Sequence, residues 1–355
     1  MISKKQLLNV LKFLLFLGIG VTILYLVYRS QNAAFQEDCA LKNIPAAECS
    51  LIQKVIDDFR GVSFFWMFMV FVAYMVSNIS RAIRWNMLMR SLGYQSKFIN
   101  ALLSTIIGYF ANLGLPRFGE IVRAGMMARY EKIPVEKVMG TVVVDRVVDI
   151  FSILFITLLA LLLDFNTIYA FADEHVNLSE KFGGKGTLLL YLGIGGIIGL
   201  SLFWFFRKNL LKLSIAQKIV GIVQGFGEGI KTIGKLERPW LFVLHSISIW
   251  LMFYLGCYFC MLAFEPTAGL PAIAALTVFV FGAWGMVIPS PGGMGTYHFL
   301  AQLALGFYGI SGDDGFSFAN ISYFTVQLGF NISFGLLSLL LLPSINRNYQ
   351  PVAIA

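Results

Sequence analysis

Six apolar stretches, at 10–28, 62–80, 138–163, 187–206, 240–263 and 317–342, each have the length of a helix that crosses a bilayer's hydrocarbon. Two further apolar regions, 98–130 and 270–309, are interrupted, the first at Asn112-Leu113-Gly114-Leu115-Pro116-Arg117 and the second at Pro289-Ser290-Pro291-Gly292-Gly293. Proline cannot continue a helix's hydrogen bonds and glycine releases its backbone, so Asn112, Pro116, Pro289 and Pro291 mark helix breaks. In hydrocarbon every backbone polar group must be satisfied within the protein. Irregular backbone therefore survives only where protein or a wet cavity covers it. The expected fold is an all-α polytopic membrane protein with about six full spans and two re-entrant helical hairpins.

Composition agrees. Hydrophobic residues make up 58% of the 355 and charged residues only 13%, with a mean hydropathy of +0.76. No wettable surface can be built from so few charges, which excludes a soluble enzyme, a disordered chain and a nucleic-acid-binding module. The apolar run after Lys4, Lys5 and Lys12 ends in Leu26-Val27-Tyr28-Arg29 rather than a small-residue cleavage site, predicting an uncleaved anchor with its N-terminus inside.

The net charge of +8 sorts by side. With both broken regions re-entrant, the cytoplasmic segments hold 18 Lys and Arg against four acids, and the outer segments six against twelve. If 98–115 crossed fully, the basic 207–238 loop would lie outside, against the positive-inside bias. The localisation expected is a bacterial inner membrane, with both termini cytoplasmic. Residues 1–61 then form an anchor helix and outer loop, and 62–163 a span-hairpin-span unit. Residues 164–239 are a connecting span and basic linker, 240–342 a second unit of opposite orientation, and 343–355 a cytoplasmic tail. Inverted repeats with paired broken segments recur in secondary transporters.

Six charges remain inside the membrane, where ionisable groups are costly and default to functional candidates. Arg117, Glu120 and Arg123 share one helical face after the first break, and Glu120 is within reach of either arginine. That helix start, with free N–H groups and a positive dipole end, suits a phosphate or a carboxylate. Asp145, Arg146 and Asp149 form a second cluster, with Arg146 reaching Asp149 at i,i+3. The alternative is a self-neutralising structural network. In the second half, Gly292, Gly293, Gly295 and Thr296 form a glycine-rich turn into a helix whose first turn carries His298, a candidate proton carrier or a structural histidine. The candidate phosphate ligands are Arg117, Arg123, Arg146, Gly292, Gly293, Gly295 and Thr296. The candidate coupling groups are Glu120, Asp145, Asp149 and His298.

Other signals carry less. Gly229 to Leu236 approximates a phosphate-binding loop but has Leu in place of the Mg²⁺-binding hydroxyl. Cys257 and Cys260 read as core thiols, whereas Cys39 and Cys49, in the predicted outer loop, are a candidate disulfide. Neither His175 nor His245 has metal-ligand company, and no metal or cofactor is expected. Gly195-x-x-x-Gly199 fits close helix packing and leaves a homodimer open.

Four motifs in order carry a family resemblance. They are Arg81-x-x-Arg84-Trp85, Asn112-x-x-x-Pro116-Arg117-x-Gly119-Glu120-x-x-Arg123, Asp145-Arg146-x-x-Asp149 and Pro289-x-Pro291-Gly292-Gly293-x-Gly295. The chain resembles the flippase-like transmembrane region of lysylphosphatidylglycerol synthases, over about 10–342. The resemblance implies movement of a lipid and its polar head between leaflets. Arg81, Arg84 and Trp85 are expected at the cytoplasmic interface. Where the family usually has an acid after the glycine turn, this chain has His298. The soluble synthase half is expected to be absent, since the sequence ends at Ala355, so no enzymatic activity is expected. The function expected is translocation of an anionic phospholipid or lipid-linked headgroup, with membrane lipid as partner, no nucleic acid, and room for a partner enzyme of lipid or envelope biosynthesis. A membrane-embedded transferase or accessory subunit acting on lipid-linked sugars or aminoacyl lipids is the other reading.

Overall fold

The structure is a computed structural model that describes residues 4–41, 45, 49–114, 118–176, 184, 186–187, 234, 236–288, 290–349 and 352–353. The apolar stretch from 188 to 206, the glycines at 195 and 199 and nearly all of the basic linker lie outside them, as do Pro116, Arg117 and Pro289.

The described chain is almost wholly helical. Helix α1 runs Lys4–Leu41, α2 Leu51–Gly61, α3 Phe64–Arg90, α4 Phe98–Gly114, α5 Phe118–Glu131, α6 Val135–Leu163 and α7 Phe165–Val176. After the gap come α8 (Pro239–Ala263), α9 (Ala272–Val287), α10 (Thr296–Gly306) and α11 (Gly312–Ile345). Helices α3, α6, α8 and α11 are long and apolar enough to cross a membrane, and α4 and α9 are shorter apolar helices.

Several boundaries differ from those expected. Helix α1 has 38 residues and continues well past the apolar run, carrying Cys39 to a disulfide with Cys49. Part of the expected outer loop is helix α2, which begins with Ser50 Oγ accepting from Gln53 N at 3.3 Å. Helix α3 extends to Arg90, and this brings Arg81 and Arg84 onto a packed helix face. Helix α11 holds a π-helical stretch at Phe324–Phe330, a wide-turn form common at functional positions.

Side-chain burial is reversed relative to a soluble protein. Helix α6 exposes Ile150, Leu154, Phe155, Leu158 and Leu162 while burying Asp145 and Asp149. Such a helix presents its apolar side outward and keeps its charges against protein, as hydrocarbon requires. One apolar cluster, with Ala82, Trp85, Met89, Ala101, Ala124, Met127 and Val142, joins α3 to α4, α5 and α6. Another, with Val70, Met261, Ala274, Val278, Ala301 and Phe318, joins α3 and α8 to α9, α10 and α11.

Both broken regions fold as paired arms. In the first, Gly108 on α4 faces Gly119 on α5, where a Cβ on Gly119 would collide with the Gly108 carbonyl. In the second, a Cβ on Gly285 of α9 would lie 2.8 Å from Tyr297 Cα on α10. The end of α4 then meets the second turn. A Cβ on Gly292 would lie 3.0 Å from Leu113 Cδ2 and 3.1 Å from Tyr323 Oη. At the far end of α4, a short strand β1 (Tyr94–Gln95) pairs antiparallel with β2 (Val352–Ala353), so the tail returns to the α3–α4 turn.

Candidate functional site

Five charged side chains from three helices meet in the interior. Helix α3 supplies Arg81 and Arg84, α5 supplies Arg123, and α6 supplies Asp145 and Asp149. All are buried, Arg84 and Asp145 at 0% exposure. The i,i+3 spacing of the arginines and the i,i+4 spacing of the aspartates put each pair on one helix face. Arg84 Nη2 lies 2.5 Å from Asp145 Oδ1 and 2.7 Å from Asp149 Oδ1. Arg81 Nη1 lies 2.7 Å from Asp149 Oδ2, and Arg123 Nη2 lies 2.7 Å from Asp145 Oδ2.

Aromatic and hydroxyl groups complete the cluster. The Arg123 guanidinium lies 4.6 Å from the Trp85 ring centroid, while Trp85 Nε1 donates to Thr141 Oγ1 at 2.9 Å. Arg84 Nη1 donates to Ser246 Oγ on α8 at 3.1 Å, and its guanidinium lies 5.7 Å from the Phe242 ring centroid. At the half-exposed rim, Arg146 Nε lies 3.1 Å from Glu120 Oε1 and Arg146 Nη1 lies 3.3 Å from Asp149 Oδ2. Three buried arginines face two buried aspartates, and the Glu120–Arg146 pair cancels itself, so one positive charge is in surplus. The Nε atoms of Arg81, Arg84 and Arg123 are buried with no hydrogen-bond partner among the described residues.

This arrangement regroups the residues singled out from sequence. Arg81, Arg84 and Trp85 are buried inside the protein, where the polar face of α3 meets Asp145 and Asp149. Glu120 pairs with Arg146 on the next helix. Asp145, Arg146 and Asp149 do share one network, as the spacing indicated. Arg117 and Pro116 lie outside the described residues. Asn112, read only as a break, accepts from Gly119 N at 2.8 Å and so satisfies one of the free amides at the start of α5.

The second turn is glycine-built. Gly292, Gly293 and Gly295 have φ of 58°, 78° and 81°, the left-handed region that side chains disfavour. Thr296 Oγ1 donates to Gly285 O at 2.7 Å and so holds the turn against α9. Pro291 opens this turn, in the single 3₁₀ turn Pro291–Gly293. His298 is buried, its Nδ1 accepting from Gly295 N at 3.4 Å and its ring lying 4.7 Å from that of Tyr323. Its Nε2 has no partner among the described residues. No described hydrogen bond or ion pair joins His298 to the arginine cluster.

An apolar groove of about 680 Å³ runs between α6, α8 and α9, lined by Phe151, Phe155, Leu159, Ile247 and Leu251 among others. Ser246 and Phe242 line its wall and also touch Arg84, so the groove adjoins the charged cluster. Sequence reasoning missed Ser246 because a lone serine in an apolar span carries no pattern. Among the described residues no group of His, Cys, Asp and Glu could hold a metal ion.

The family profile of the lysylphosphatidylglycerol synthase transmembrane region matches residues 50–335, a stretch that contains the whole cluster and both turns. The chain belongs to this family. A UPF0104 membrane protein of Methanocaldococcus jannaschii is 32% identical to it over 96 residues, which are 26% of this chain and 29% of the relative. The aligned part thus spans under a third of that relative's length. No solved structure matches the chain. Membership makes this a membrane protein, and the outward apolar faces of α6 and α8 agree with it.

Proposed function

We propose that the protein is a lipid translocator that moves an anionic phospholipid or lipid-linked headgroup between leaflets. The carrying observation is the junction at Ser246, where an apolar groove meets a buried cluster with one positive charge in surplus. An acyl or polyprenyl chain suits the groove. A phosphate suits the surplus charge and the unpartnered guanidinium Nε atoms, since arginine forks match its geometry.

In this reading the two paired-arm elements are re-entrant hairpins that enter from opposite sides of a bacterial inner membrane, inside an inverted repeat with both termini cytoplasmic. The meeting of Leu113 with Gly292 supports it, because hairpins entering from opposite faces touch at their tips near midplane. Arg117, the residue before α5 in sequence, is a further candidate ligand for the phosphate. Glu120, Asp145, Asp149 and His298 are the groups available to couple movement to protons. No residue is assigned a catalytic role.

The test is reconstitution into vesicles that carry a fluorescent anionic phospholipid, read by its accessibility to an impermeant quencher. Wild-type vesicles expose the inner-leaflet label, and Arg117→Ala and Arg146→Gln slow that exposure at unchanged protein incorporation. Wild-type rates equal to those of protein-free vesicles overturn the reading. Unchanged rates in both variants overturn the site.

A further inference from the structure

Helix α2 is amphipathic in three sectors rather than two. At 100° per residue, Leu51, Lys54, Val55 and Asp58 point one way, Phe59, Ile52 and Ile56 occupy about the next 60° of arc, and Arg60, Gln53 and Asp57 follow. The first sector is held by protein. Leu51 is fully buried against Val27 and Phe316, and Lys54 Nζ lies 2.7 Å from Asp314 Oδ1 on α11 and 2.7 Å from Asp58 Oδ2. The Cys39–Cys49 disulfide ties the chain just before α2 to the end of α1.

The other two sectors are open and differ in kind. Ile52, Ile56 and Phe59 are 56%, 41% and 38% exposed, forming a stripe along the helix. Beside it, Gln53, Asp57 and Arg60 are exposed and polar, with Asp57 and Arg60 paired at 3.4 Å. A helix in bulk water has no use for the apolar stripe, and one buried in hydrocarbon has none for the polar strip. Only a boundary between the two media suits both.

The neighbouring surface says which apolar medium covers the stripe. Helix α3 follows α2 after Val62 and Ser63 and opens with Phe64 and Phe65, 84% and 60% exposed, at the end of a membrane-crossing helix. The stripe thus lies within a few residues of exposed aromatic side chains at the end of a helix long and apolar enough to cross a membrane.

We propose that α2 is an interfacial helix, with Ile52, Ile56 and Phe59 seated in the lipid surface and Gln53, Asp57 and Arg60 in the aqueous layer. The disulfide and the Lys54 ion pairs hold its remaining side to the bundle. Such a helix buries its apolar side only to the headgroup boundary, and so it sets the depth at which α3 and α11 sit.

The proposal is tested in the full chain carrying Cys257→Ala and Cys260→Ala, with a nitroxide on Ile56→Cys, Ile52→Cys or Gln53→Cys. Vesicles of phosphatidylcholine and phosphatidylglycerol are probed with oxygen, which favours lipid, and a nickel chelate, which favours water. The oxygen-to-nickel collision ratio at Ile56 and Ile52 is expected several-fold above that at Gln53. High nickel collision at both isoleucines, placing the stripe in water, overturns the proposal. So does low collision with both reagents, which would mean that protein, including a second copy of the chain, covers it.

Discussion

Arg123 on α5 and Asp145 on α6 are joined at 2.7 Å in the interior, and the same aspartate takes Arg84 of α3 at 2.5 Å. One carboxylate thus fastens an arm of the first hairpin to two long helices. Breaking a buried pair from one side leaves an uncompensated charge and costs about 3–5 kcal/mol. Asp145→Ala, which strands Arg123 and leaves Arg84 and Arg81 only Asp149, should lower the unfolding midpoint in detergent more than Arg123→Ala does. Arg123→Lys should recover only part, since an ammonium cannot both stack on Trp85 and reach Asp145. Equal stability of Asp145→Ala and wild type would show that the cluster carries no structural charge pairing.

The first hairpin closes on glycine. Gly119→Ala would drive its methyl into the Gly108 carbonyl, so the arms must part. Overpacking of this kind costs about 1–3 kcal/mol, and it also strains the Asn112 cap on Gly119 N. Gly125→Ala, on the same helix with open space around its Cβ, is the control and should be neutral or slightly stabilising. Thermal unfolding of the two variants side by side checks this.

Lys54 gives a pH signature. Burial alone would lower its pKa, but hydrogen bonds and the charges of Asp314 and Asp58 outweigh that and raise it above 10.5. Its contribution is therefore complete below the unfolded value of 10.5 and fades as pH rises beyond it. The pair is partly exposed, so the effect is less than about 1 kcal/mol. Wild type should outlast Lys54→Met at about pH 9 and lose that advantage by about pH 12. A constant difference across that range contradicts the assignment.

The C-terminal tail is tied to the first hairpin through Tyr349, whose hydroxyl donates to Glu131 Oε2 at 2.8 Å. Burial, then Glu131, pushes its phenol up to about 12. Stability from the neutral phenol is whole below the usual value of 10.0 and lost as pH climbs toward 12. Tyr349→Phe should cost about 0.5–1.5 kcal/mol, because Glu131 keeps Lys97 N and Asn100 Nδ2 as donors. Faster amide exchange at Tyr94 and Gln95, with α8 unchanged, is the expected reading.

The Cys39–Cys49 bond closes a short loop between α1 and α2. Its reduction should destabilise by about 2–3 kcal/mol, by the loop-entropy account. Loss should be local. Added reductant is expected to speed proteolysis near Leu51 before the midpoint of the whole protein moves.

The membrane-length helices α3, α6, α8 and α11 were readable from sequence because hydrocarbon imposes one rule, and a run of about 20 apolar residues satisfies it without any partner. The two breaks were readable for the same reason, since proline and glycine act on their own backbone. Asp145 and Asp149 declared themselves as charges inside an apolar run. What they hold did not, because a residue's partner on another helix is set by packing. Arg81 and Arg84 read as interface arginines at the end of an apolar stretch. The 27-residue helix α3 carries them instead onto the face of α6. Glu120 likewise finds Arg146 on the next helix. The apolar and charged patterning thus determined that the chain lives in a membrane and where its helices break. Tertiary packing alone decided which charges neutralise one another, that the end of α4 meets the glycine turn at Leu113 and Gly292, and that Ser246 joins an apolar groove to a buried cation, because such contacts link residues far apart in the chain.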